Sequence, residues 1–110
     1  MTETGVIKTY HLNGKLQLEC FNLDGKKNGL CKMYYSNGRL ESELNYINDV
    51  LNGPFKQYFL NGDLSCEGVY KDDICIPDFY KQYNGNGKII KNNEIFHHKI
   101  IKYKPCCNIL

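Results

Sequence analysis

The chain has 110 residues with no alanine, fourteen aromatics and ten glycines. That balance favours strands and turns, and the length suits one domain rather than a catalytic domain plus a regulatory one. A formal net charge of +2 falls short of the basic footprint of a nucleic-acid binder, so no nucleic acid is expected as a partner.

Charge is unevenly placed along the chain. Residues 1–87 hold nine basic and eleven acidic side chains, whereas residues 88–110 hold five lysines against Glu94. The start, MTETGVIKTY, lacks the apolar core of a signal peptide, and no stretch approaches the roughly 18 apolar residues of a spanning helix. The expected location is cytoplasmic. Thirteen lysines against the single Arg39, with abundant Asn and Ile, fit an AT-rich genome such as that of a low-GC bacterium, a protist or a large DNA virus; in the viral case the compartment is the host cytoplasm.

From residue 8 onward one frame recurs: Lys8-x-Tyr10-x-x-Asn13-Gly14, Lys32-x-Tyr34-x-x-Asn37-Gly38, Lys56-x-Tyr58-x-x-Asn61-Gly62 and Lys81-x-Tyr83-x-x-Asn86-Gly87, at steps of 24, 24 and 25 residues. Asn-Gly between strand-forming residues is a strong hairpin signal, because a type I′ turn needs positive φ at both central positions. Each copy is therefore expected to be a β-hairpin closed at Asn-Gly. After each turn apolar and polar residues alternate, as in Leu64, Cys66, Gly68 and Tyr70 around Ser65 and Glu67, so one face should be apolar and the other wet. The junctions LDGKKNGL, INDVLNGP and KDDICIPD read as loops into the next strand. Pro77 makes the third irregular, standing where the others have Gly29 and Gly53. A lone two-stranded hairpin is marginal, so the units must bury their apolar faces on one another. The expected fold is all-β, an elongated single antiparallel β-meander of about four 24-residue hairpin repeats over residues 1–96, followed by a basic, cysteine-containing tail over residues 97–110.

The frame, its spacing, and Leu16, Leu40, Leu64 and Ile89 after the turns make the chain similar, over about residues 8–96, to the MORN (membrane occupation and recognition nexus) repeats. It most resembles the variant built on Tyr-x-x-Asn-Gly-x-Leu. The Pro77 junction departs from that pattern, and the more polar fourth unit reads as a cap. The resemblance implies hairpins in one curved sheet that serves as a scaffold or binding surface. Some members are linked to membranes and phosphoinositides, and some bacterial relatives carry an antitoxin label.

No nucleophile–base arrangement stands out, so no catalytic residue, cofactor or metal is expected. The pairs His97-His98 and Cys106-Cys107 have the wrong spacing for a zinc site. Asp72-Asp73 reads as a solvated turn, His11 as a surface side chain, and the six cysteines as reduced thiols packed like small hydrophobes. The recurring Lys8, Lys32, Lys56 and Lys81 with Tyr10, Tyr34, Tyr58 and Tyr83 are the candidate binding row; the tyrosines are expected to serve chiefly as core or as a sheet ladder, which leaves the lysines as the open binding groups. Asn13, Gly14, Asn37, Gly38, Asn61, Gly62, Asn86 and Gly87 are the structural turns. At the C-terminus Cys107-Asn108-Ile109-Leu110, beside Cys106 and basic residues, forms an imperfect lipidation box. The expected function is a non-enzymatic protein-interaction or scaffold module with a protein partner. The tail is compatible with a tether to an anionic membrane surface, and the sheet edges with a homo-oligomer. The alternatives are a structural assembly component, for example of a large DNA virus particle, and an antitoxin-like binding protein.

Overall fold

In the computed structural model, which describes residues 4–91, the described residues form ten strands: β1 (Gly5–Tyr10), β2 (Leu16–Leu23), β3 (Lys26–Tyr34), β4 (Leu40–Ile47), β5 (Val50–Leu51), β6 (Gly53–Tyr58), β7 (Leu64–Lys71), β8 (Ile74–Cys75), β9 (Lys81–Tyr83) and β10 (Ile89–Lys91). They lie in one antiparallel sheet of order β1-β2-β3-β4-β6-β7-β9-β10, with β5 paired to β4 and β8 to β7. Its extents of 45 × 30 × 15 Å are those of a single layer. This is the all-β meander expected from the repeat.

The Asn-Gly turns differ from the expected two-residue type. His11 N–H donates to Lys15 O at 2.8 Å and Gly14 N–H to His11 O at 2.9 Å, and the same pair of bonds recurs at Tyr35, Phe59 and Asn84. Only the glycine takes positive φ: 89° at Gly14, 94° at Gly38, 100° at Gly62 and 82° at Gly87. The turn is thus a three-residue loop with a glycine bulge. In the first three units the asparagine acts through its side chain instead. Its Oδ1 accepts from the N–H two residues on, at 2.9 Å from Asn13 to Lys15, 2.9 Å from Asn37 to Arg39 and 2.8 Å from Asn61 to Asp63. In the fourth unit Asn84 does this work, accepting from the N–H groups of Asn86 and Lys88.

Tight two-residue turns occur at the junctions instead, so the three junctions are not loops. Positive φ at both central residues marks Asp24-Gly25 (52°, 81°), Asn48-Asp49 (49°, 69°) and Asp72-Asp73 (50°, 68°), between the paired residues Leu23 and Lys26, Ile47 and Val50, and Lys71 and Ile74. Asp and Asn tolerate this region because their short polar side chains bond locally. Asp73 also ties its unit to the preceding one: Leu51 N–H donates to Asp73 Oδ1 at 2.8 Å and Asp73 N–H to Leu51 O at 2.9 Å. Asp49 holds Lys27 in the same way, at 2.7 and 2.9 Å. Asp73→Gly, which keeps the backbone freedom and loses the charged acceptor, should destabilise by about 1–3 kcal/mol. Asp73→Ala should cost about 1 kcal/mol more, because alanine must also hold positive φ. Urea melts of both variants check the order, and equal melts would remove the backbone term.

Alternation along β4 and β7 buries Ser42, Leu44 and Tyr46, then Cys66, Gly68 and Tyr70. Across the sheet Phe55 and Tyr80 join them, 2% and 1% exposed. Tyr80 follows the short 3-10 turn Pro77–Phe79 that replaces the glycine corner of the other units. The first unit corrects the reduced-thiol expectation: Cys20 and Cys31 form a disulfide with Cα atoms 4.2 Å apart. The register of β2 on β3 sets them directly opposite, close enough to join. Cys75 is a buried free thiol.

Candidate protein-interaction face

The frame lysines all lie on the face opposite the core. A 24-residue step and a constant turn length set each against glutamates of the neighbouring strands. The register runs Lys8, Glu19, Lys32, Glu43, Lys56, Glu67, Lys81 straight across β1, β2, β3, β4, β6, β7 and β9. Opposite charges facing one another across a sheet stabilise it modestly. The closest approach is Lys8 Nζ to Glu19 Oε2 at 4.0 Å between half-exposed side chains, worth about 0–1 kcal/mol at most. With four lysines and three glutamates the row carries one excess positive charge, and its potential alternates in sign.

Beside the ladder lies an apolar patch. Val6 pairs with Phe21, and Val6, Phe21 and Leu30 are 57%, 40% and 41% exposed. The three residues line a shallow depression of about 240 Å³ with Glu19 and Lys32 at its side. A second, of about 170 Å³, continues from Leu30 to Pro54 and Lys56. The bulge of β3 opposite Phe21, where the pairing steps from Cys20–Cys31 to Asn22–Lys27, accompanies this exposure of Leu30. The sequence named none of these three apolar residues, because the patch exists only once register is set. A depression of about 420 Å³ lies at the other end, by the third and fourth turns, with Asp63, Leu64, Tyr83 and Asn86 on its wall.

Three segments of the chain, residues 3–22, 27–48 and 51–72, match the family described as MORN repeat variant. The chain is a member of the MORN-variant repeat family. Comparison with curated proteins gives no match. The fourth unit lies beyond the matched MORN segments, in keeping with its short β9 and β10 and its Asn84-centred turn. Repeats of this family commonly serve as protein- or membrane-binding modules and are generally non-catalytic.

The frame tyrosines of the MORN units are not core. Tyr10 is exposed, and Tyr34, Tyr58 and Tyr83 are half-buried; among the described residues the buried tyrosines are Tyr46, Tyr70 and Tyr80. Tyr58 OH donates to Glu43 Oε1 at 3.1 Å and Tyr83 OH to Glu67 Oε2 at 2.6 Å, so each holds a ladder glutamate in place. The bond to Glu67, aided by burial, pushes the Tyr83 phenol up to about 12. Burial and then the Glu43 charge raise Tyr58, and burial raises Tyr70 strongly. A phenol raised in the fold stabilises fully below its unfolded value near 10 and loses that contribution as pH climbs through the folded value. Stability should therefore fall between about pH 10 and 12. An alkaline titration should show exposed tyrosines ionising first and the remainder together with loss of β-sheet circular dichroism. Single-stage ionisation near pH 10 with the sheet intact would contradict this.

His11 is more than a surface side chain. Its Nε2–H donates to Tyr34 O at 2.8 Å, and Tyr35 at the same frame position donates through its hydroxyl to Tyr58 O at 2.7 Å. Both tie one MORN unit to the next. Lys15 and Arg39 likewise donate to the carbonyls of Asn37 and Asn61 one unit on. The proposed lipidation residues Cys106 and Cys107, together with His97, His98 and the tail domain, lie outside the described residues.

Proposed function

We propose that this MORN-variant sheet is a non-enzymatic protein-interaction or scaffold module, and that the ladder face is its contact surface. The observation that carries the reading is the combination of an apolar patch, Val6, Phe21 and Leu30, with a flanking row of charges that alternate in sign. Interfaces between proteins place apolar and aromatic groups centrally and use complementary charges around them for register and specificity. An anionic membrane rewards uncompensated cations at about 1 kcal/mol each, and glutamates opposite each lysine cancel most of that attraction. Capture of partners by the tagged full-length chain, compared with Leu30→Asp, tests the reading. Leu30→Asp should lose the partner while melting like the wild type, and Leu12→Asp at the turn edge should retain it. Capture unchanged by Leu30→Asp would refute the assignment of this face.

A further inference from the structure

The charge ladder ends at an open edge. Among the described residues β1 is the terminal strand and pairs only with β2. Lys32 and Lys56 each have a glutamate on both sides, whereas Lys8 has Glu19 on one side alone. The short Cα separation of Cys20 and Cys31, 4.2 Å, marks a non-hydrogen-bonded pair. The N–H and C=O of Cys20 therefore point to β1, where Ile7 stands opposite. Backbone groups alternate along a strand, so those of Val6 and Lys8 point outward from the sheet. Both residues are exposed.

Resting on the reading of the sheet as a protein-interaction module, we propose that β1 takes an extended segment of a partner protein as an added antiparallel strand. That segment carries an acidic residue opposite Lys8, an apolar residue opposite Ile7 and a large apolar residue opposite Val6. Main-chain bonds to an edge supply affinity in this mode and alternate side chains supply specificity. The sheet already contains the complement: β2 meets β1 with Glu19 opposite Lys8, Cys20 opposite Ile7 and Phe21 opposite Val6. A mirrored strand on the outer side would complete the ladder as Glu43 does for Lys32, and would extend the Val6–Phe21 patch. A second copy fits poorly. Neither β1 (GVIKTY) nor β10 (IIK) holds an acid, so no pairing of these two edges sets an acidic residue opposite Lys8.

The probe is a fluorescent, end-capped peptide of residues 16–23 carrying Cys20→Leu, titrated into the full chain by anisotropy. It should bind saturably, and the same peptide with Glu19→Lys should bind about tenfold more weakly. Lys8→Glu should weaken the first peptide by about tenfold and restore the second. Val6→Pro removes one outward N–H without touching the bonds to β2, and should cost about tenfold in affinity with an unchanged melting curve. Three results overturn the edge assignment: a peptide that does not bind, binding indifferent to Lys8→Glu and Val6→Pro, or a concentration-dependent dimer that Val6→Pro abolishes. If Leu30→Asp still abolishes partner capture in those cases, the module reading stands and only the edge falls; if it does not, both fall.

Discussion

Phe55→Ala should destabilise the sheet by about 3–5 kcal/mol, the cost of removing a fully buried aromatic from a core, and lower the melting temperature by roughly 15 °C or more. Phe55 is 2% exposed, and its ring centroid lies 4.7 Å from that of Tyr70. It lies over Gly68, its partner in register: a Cβ built on Gly68 would come within 2.8 Å of Phe55 Cε1. The glycine is needed for that space, since its φ is ordinary. Gly68→Ala in the wild type should accordingly cost about 1–3 kcal/mol through overpacking. In the Phe55→Ala background it should cost much less, and that non-additivity is the signature of direct contact. Two penalties that simply add would mean the ring moves aside freely.

Removing the Cys20–Cys31 disulfide should have the next largest effect. The bond spans a sequence separation of 11, and by loop-closure entropy a link of this size contributes about 2–4 kcal/mol. The paired variant Cys20→Ala/Cys31→Ala should show that loss in urea, with the first two hairpins opening earliest in hydrogen exchange. Cys75→Ala, at a buried free thiol, should cost only the packing of one sulfur, about 1–2 kcal/mol. A variant without this bond that melts with the wild type, or a peptide map without the Cys20–Cys31 pair, would contradict the assignment.

What could be read from the residues was the translation rather than the register. The 24-residue step and the Asn-Gly pairs locate four hairpins, and the alternation after each turn locates the core face. Turn geometry decides the rest. A tight turn at Asn48-Asp49 or Asp72-Asp73 contains no glycine, so its positive φ is visible only in how the aspartates bond to the preceding unit. Glu19, Glu43 and Glu67 read as outward-facing from alternation alone. Whether each stands opposite a lysine depends on a three-residue loop, and a slip of one residue would turn each strand over. The same holds for Cys20 and Cys31, which sit at unlike positions of the repeat and meet because β2 and β3 pair in one register. The bond that gives His11 a structural role is hidden for a related reason: its acceptor, Tyr34 O, belongs to the next unit.

Site-specific photo-crosslinking tests the central claim most directly. A photoreactive phenylalanine analogue is placed singly at Val6 and Leu30 on the ladder face, and at Leu12 and Leu60 on the exposed turn tips, in the full-length chain expressed in its native cells. The account predicts that positions 6 and 30 yield a crosslink to the same protein partner and that positions 12 and 60 do not. Crosslinks confined to the turn tips, or to lipid, would contradict it.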